Sequence, residues 1–237
     1  NGLDHEQVFR EVKRVLKHGG RLLIWDVNLP VWKDAAKEFG IFRFVFKLPH
    51  KEITTGYGAK FPTSIDQDME YYAALARKTG FKVLTAQKNE PSFYLELQTP
   101  PSAADVLENA IRTQNIESGL RSYDALKQNS RSDYYFGPDT LVELSGRLMD
   151  EGKAAESFAV YKLALRDFAV AENKTNAYGY RLLTAKLYAE AIGIFKTNTE
   201  KYPDSANAFD SLAEAYMASG QKDSAIRYYE KSLELNP

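Results

Sequence analysis

An α/β segment followed by an all-α repeat solenoid is the architecture that this 237-residue chain predicts. Three observations carry it. Short runs rich in β-branched and aromatic residues, RLLIWDV (21–27), FKVLTAQ (81–87) and SFYLELQ (92–98), read as strands. Beyond residue 101 that signal stops, and 3.6-periodic segments rich in Ala, Leu, Glu and Lys follow one another. The charge changes sign at the same place. Residues 1–100 carry 15 basic and 12 acidic side chains, and residues 101–237 carry 16 and 20. Thr99-Pro100-Pro101-Ser102 marks the junction, because Pro-Pro stops a strand and Ser102 suits the start of a helix. The expected domains are residues 1–99 and 100–237.

Composition excludes several classes of function. With 44% hydrophobic and 27% charged residues the chain is globular rather than disordered. A formal charge of −1 supplies no basic field to attract nucleic acid or an anionic membrane, so neither is expected as a partner. The absence of cysteine removes disulfides, zinc fingers, thiol nucleophiles and iron–sulfur sites. No apolar run reaches the ~18 residues of a membrane helix, and a cytoplasmic location is expected. The first residue is Asn1, without an initiator Met, which suggests that the chain is part of a longer polypeptide.

The second half repeats with an ungapped period of 34 residues, in units starting at Pro138, Glu172 and Ala206. Leu144, Tyr178 and Leu212 share a column, and the small residues Ser145, Gly179 and Ala213 follow. Leu148, Leu182 and Tyr216 come next, then Ser157, Ala191 and Ala225, and then the aromatics Tyr161, Phe195 and Tyr229. Small residues let two helices approach and large ones fill the space between them, while Pro203 and Pro237 end the last two units. A 34-residue helix–turn–helix of this pattern resembles the tetratricopeptide repeat (TPR), most closely in NAFDSLAEAYMASGQKDSAIRYYEKSLELNP (207–237). Residues 102–137 are expected to hold a further degenerate unit, offset by four residues.

The resemblance implies a protein or peptide partner on the concave face. By helical spacing that face carries Asn173, Asn176, Tyr180 and Leu183, then Asn207, Asp210, Glu214 and Met217. Asp210 and Glu214 would repel a peptide carboxylate, so a basic or apolar segment is expected. The terminal repeat has no polar capping helix after it, which leaves an apolar groove and an opening for self-association.

In the first third, DHEQVFREVKRVLKHGGRLLIWDVN (4–28) reads as a helix capped by Asp4, with Val8, Val12, Val15 and Leu16 on one face, ended by Gly19-Gly20 and followed by a buried strand. YYAALARKTGFKVL (71–84) reads as a helix turning through Gly-Phe into the next strand, and two antiparallel strands follow, with Asp66 as the expected helix start. This ordered set over residues 4–98 resembles the closing part of class I S-adenosylmethionine (SAM)-dependent methyltransferases, with Leu16-Lys17-His18-Gly19-Gly20 matching a Leu-Lys-Pro-Gly-Gly run except at His18. The resemblance implies the last three strands of a Rossmann-like sheet, with residues 29–68 as a variable insertion.

It also implies SAM as cofactor of a longer protein. The acidic, glycine-rich loop that binds SAM in this family would lie before Asn1, and Gly56-Tyr57-Gly58 is no substitute, lacking a strand before it and a helix after it. The chain alone is therefore expected to bind no cofactor and to transfer no methyl group. Asp26 and Asn28, at the carboxyl end of the strand 21–27, are the candidates for facing a substrate, together with Trp32 and Tyr57 in the insertion. His5, His18 and His50 stand at no metal-ligand spacing, and no metal is expected. The alternative to an enzyme fragment is a non-catalytic TPR scaffold with a vestigial α/β domain.

Overall fold

The computed structural model describes residues 4–31, 39–48, 50–60, 62 and 65–236. The chain forms two units, one of Asn1–Ser102 with Ser130–Tyr135, the other of Ala103–Asn129 with Phe136–Pro237.

In the first unit, helix α1 (His5–Val15) starts at Asp4, whose carboxylate accepts from the amides of Glu6 at 3.0 Å and Gln7 at 3.2 Å. It ends earlier than Gly19-Gly20 suggested. Leu16 already has an extended backbone, which turns its side chain onto the sheet core, and Gly19, at φ +73°, shapes the turn into strand β1 (Arg21–Val27). Helix α2 (Met69–Lys78) is capped by Asp68, which accepts from the Tyr71 amide at 2.9 Å. Asp66 is not the cap; its carboxylate instead holds the Val31 amide at 2.5 Å.

Strands β4 (Lys82–Asn89) and β5 (Ser92–Gln98) complete a three-stranded sheet of order β1-β5-β4. The middle strand runs antiparallel to both neighbours, from Arg21↔Gln98 to Val27↔Ser92 on one side and from Lys82↔Gln98 to Asn89↔Ser92 on the other. Alternation on β5 buries Phe93, Leu95 and Leu97 against Phe9 of α1 and Ala73 and Ala76 of α2. The other face leaves Leu23, Trp25 and Leu84 exposed.

The insertion 29–68 contains an element that the sequence reading left without structure. Strands β2 (Phe39–Leu48) and β3 (Lys51–Lys60) pair antiparallel from Phe39↔Lys60 to Leu48↔Lys51 as a separate two-stranded sheet. Every ladder in the two sheets is antiparallel, so the chain shows small antiparallel sheets where a Rossmann-like sheet was expected.

The second unit is all-helical: α3 (Ala103–Thr113), α4 (Ile116–Asn129), α5 (Pro138–Asp150), α6 (Ala154–Asp167), α7 (Glu172–Thr184), α8 (Tyr188–Lys201), α9 (Ala206–Ala218) and α10 (Lys222–Leu235). The turns inside the last three pairs are equivalent. Gly152, Lys186 and Gly220, each 34 residues from the next, adopt φ of +77°, +61° and +82°. At each, the following amide returns to a carbonyl five residues back: Lys153 to Leu148, Leu187 to Leu182 and Gln221 to Tyr216, all at 2.9 Å. The left-handed residue satisfies the carbonyls that a helix end leaves open.

Candidate protein-interaction face

The repeat columns are the packing core of the helical unit. Leu144, Tyr178 and Leu212, Ser145, Gly179 and Ala213, Leu148, Leu182 and Tyr216, and Ser157, Ala191 and Ala225 are all buried. Tyr161 stacks on Tyr178 of the next pair, and the Tyr178 hydroxyl meets Ser157 Oγ at 2.8 Å, which in turn donates to the Ser145 carbonyl at 2.7 Å. Gly179 lies under the Phe195 ring, where an added Cβ would come within 2.5 Å of Cε1 and Cζ. These side chains are spent on holding helices together.

What remains for a partner lies on α7 and α9. The Tyr180 hydroxyl donates to Glu214 Oε2 at 2.6 Å and lies 3.2 Å from Ser211 Oγ, which ties the middle of α7 to the middle of α9. Burial first, and then the hydrogen bond to the Glu214 carboxylate, push the Tyr180 phenol up to about 12. Tyr229 of α10 is raised too, by burial and then by the charges of Glu214 and Asp210. Both carboxylates therefore sense the same two phenols, and Asp210 and Glu214 are exposed beside them. The arrangement places two exposed carboxylates of α9 near the phenols of α7 and α10.

The other residues expected on this face are used differently. Asn207 donates to Glu172 Oε1 at 3.3 Å, beside Ser205, whose hydroxyl donates to the same oxygen at 2.5 Å. Asn173 turns its side-chain oxygen onto the Lys174 amide at 2.8 Å. Asn176 and Leu183 are half-buried, and Met217 is exposed. Glu172, which sequence reasoning passed over, anchors the start of α7 to the start of α9; its column partner Ala206 gave no hint of the role.

Of the four residues singled out in the first unit, Asp26 and Asn28 have described side chains. Asp26 accepts from the Val27 amide at 2.8 Å, and its charge contributes after burial to raising Tyr72 to about 12. Asn28 donates to Glu90 Oε2 at 3.1 Å, and its buried side-chain oxygen has no partner among the described residues. Only the backbone of Tyr57 is described; it pairs with Phe42 in the other sheet. Trp32 lies outside the described residues. Two of the histidines serve contacts: His5 Nδ1 meets the Tyr71 hydroxyl at 3.1 Å, and His18 stacks on Tyr135 with centroids 3.8 Å apart. No group of three or more metal-binding side chains occurs among the described residues. No helix among them is long and apolar enough to cross a membrane.

Residues 206–237 match the tetratricopeptide repeat family. The two TPR-like units before them share its columns and its turns. No curated protein matches the chain. Similar solved structures include MamA 41-end from Desulfovibrio magneticus RS-1, 22% identical with a TM-score of 0.36, covering 59% of this chain and 78% of that one. A crystal structure of MamA is 16% identical with a TM-score of 0.36, covering 56% of this chain and 75% of that one. A structure of PilF from Pseudomonas aeruginosa is 22% identical with a TM-score of 0.34, covering 56% of this chain and 60% of that one.

Proposed function

We propose that this chain is a protein-interaction module whose TPR array holds a basic segment of a partner between α7 and α9. The observation that carries this reading is the bond from Tyr180 to Glu214, around which two exposed carboxylates, Asp210 and Glu214, stand near the phenols of Tyr180 and Tyr229. A lysine or arginine head placed there meets charge and aromatic faces together, a combination that favours cations. Asn173, Asn176, Leu183, Asn207 and Met217 extend the same face and would contact the flanks of such a segment. The test is fluorescence anisotropy of the full chain with lysine- and arginine-rich twelve-residue peptides against acidic and neutral ones. Basic peptides are expected to bind, and Asp210→Lys with Glu214→Lys to weaken them by about tenfold or more. Equal binding of acidic peptides would overturn the reading.

The first unit is read as part of the same interaction protein. Its two sheets are antiparallel throughout, and β1 is paired on one side only among the described residues. The residues present do not fit SAM. Gly56 and Gly58 sit within the β2–β3 ladder opposite Arg43 and Ile41, so they form no loop at a helix start to cradle a cofactor. We therefore read this unit as a non-catalytic scaffold. Calorimetry that detected SAM binding to the chain would refute that.

A further inference from the structure

Strands β2 and β3 pair with each other as a sheet separate from β1, β4 and β5. A two-stranded sheet alone is marginal in water, so what its surface carries is informative. Alternation puts Phe39, Ile41, Arg43 and Val45 on one face of β2, and the register sets Lys60, Gly58, Gly56 and Thr54 beside them on β3. All of them are exposed, Ile41 by 87%, Phe39 by 66% and Val45 by 48%. The glycines contribute to this, since they place no side chain opposite Ile41 and Arg43. A Cβ added at Gly56 would collide with the Phe42 carbonyl oxygen, so the strip stays bare. It forms a shallow recess of about 480 Å³ bordered by Ile41, Arg43, Thr54 and the two glycines.

Positive charge gathers in the same element. Residues 39–60 carry Arg43, Lys47, Lys51 and Lys60 against Glu52 alone, a local excess that the formal total of −1 conceals. Cations interleaved with bulky apolar groups on one exposed face suit an anionic lipid surface. The cations stay among the phosphates while the apolar groups reach the boundary of the acyl chains. We infer that the Phe39–Val45 face of the β2–β3 hairpin docks the protein on anionic lipid headgroups.

Other occupants use less of what the face offers. Nucleic acid would answer to the cations and leave Phe39, Ile41 and Val45 in water. A second hairpin of the same kind would bring like charges together. The strand pair suits the interface and not the hydrocarbon, because water and headgroups meet the amides and carbonyls of its outer edges. The face is distinct from the one proposed on α7 and α9, and its charge is of the opposite sign.

The test is co-sedimentation of the full chain with vesicles of phosphatidylcholine alone and with vesicles of equal parts phosphatidylcholine and phosphatidylserine. The chain is expected to pellet with the second and not with the first. Arg43→Glu with Lys60→Glu should weaken that binding by about tenfold or more. Ile41→Ser removes no charge and should weaken it by about threefold or more, which attraction between charges alone would not produce. Circular dichroism and an unchanged Tm confirm that these exposed positions tolerate the changes. No pelleting with anionic vesicles overturns the inference, as does equal pelleting with neutral ones, or binding that neither change weakens. A labelled DNA duplex bound more tightly than the vesicles, and released by the charge changes but not by Ile41→Ser, would overturn it in favour of nucleic acid. A dimer in light scattering that Ile41→Ser dissolves would overturn it in favour of a second copy.

Discussion

Tyr161 of α6 and Tyr178 of α7 lie face to face, ring centroids 3.8 Å apart and planes within 2° of parallel, which joins one helix pair to the next through two phenols. Burial pushes each of them up to about 12 from the 10.0 of a solvated tyrosine. The unfolded chain would ionise both near pH 10.0 and the folded chain only near 12. The stability held in their neutral forms is therefore complete below pH 10.0 and is lost as pH rises toward 12. Thermal unfolding followed by circular dichroism should show a falling Tm across that window. Tyr161→Phe with Tyr178→Phe should flatten the fall, at a cost near neutral pH of about 1 kcal/mol for the lost Tyr178–Ser157 hydrogen bond.

Gly179 and Gly193 make a matched pair of opposite sign. Alanine at 179 would drive its Cβ into a fully buried Phe195 ring, whereas nothing lies within 4 Å of a Cβ at 193 in α8. Gly179→Ala should destabilise the array by about 1–3 kcal/mol through overpacking. Gly193→Ala should stabilise it by about 0.5–1 kcal/mol through helix propensity. Chemical denaturation of the two variants checks both signs.

Lys186 holds the left-handed turn position that Gly152 and Gly220 hold in the neighbouring pairs. A side chain at φ +61° crowds the following carbonyl. Lys186→Gly should raise stability by up to about 1 kcal/mol, and Gly220→Ala should lower it by a similar amount. Differential scanning calorimetry would measure the two shifts.

An ion-pair network joins α3 to α5. Glu108 accepts from Arg112 at 2.7 Å and Arg147 at 2.5 Å, and Arg112 also donates to Glu151 at 2.6 Å. The Arg112 and Lys153 hydrogen bonds hold the Glu151 carboxyl down at about 2; at Glu108 burial opposes the two arginines, which prevail and lower it. These depressed carboxyls contribute stability that is present above pH 4.5 and lost as pH falls toward 2. Glu108→Gln with Glu151→Gln should reduce the Tm at pH 7 more than at pH 2.5, and added salt should weaken the effect at the exposed Glu151 first. Equal losses at both pH values would show that the network does not stabilise the array.

The helical half was legible because its signals are redundant. Column by column, Leu144, Tyr178 and Leu212 or Ser145, Gly179 and Ala213 repeat the same volume at the same helical position, and a 34-residue spacing of that kind fits few other packings. The turn column of Gly152, Lys186 and Gly220 was equally visible and went unread, since a lysine in its middle hides a backbone requirement. In the first unit SFYLELQ was legible as a strand from its aromatic and apolar content, and the alternation that buries Phe93, Leu95 and Leu97 was not drawn from it. The β2–β3 hairpin was missed although Ile41, Arg43 and Val45 alternate with Phe42, Phe44 and Phe46, because that pattern fell inside a segment treated as an insertion. Asp66 and Asp68 illustrate a finer limit: both suit a cap, and only the position of the helix axis decides between them. The bond from Tyr180 to Glu214 crosses from one pair to the next and has no local signature.

Residues 130–135 belong with the first unit although α3 and α4 intervene, and there Tyr135 stacks on His18 and sends its amide to the Pro101 carbonyl at 2.8 Å. During synthesis the first unit therefore stays incomplete until a stretch beyond the first helical pair has left the ribosome. A chain stopped after residue 102 would carry every strand of the sheet and still lack the aromatic clasp over His18.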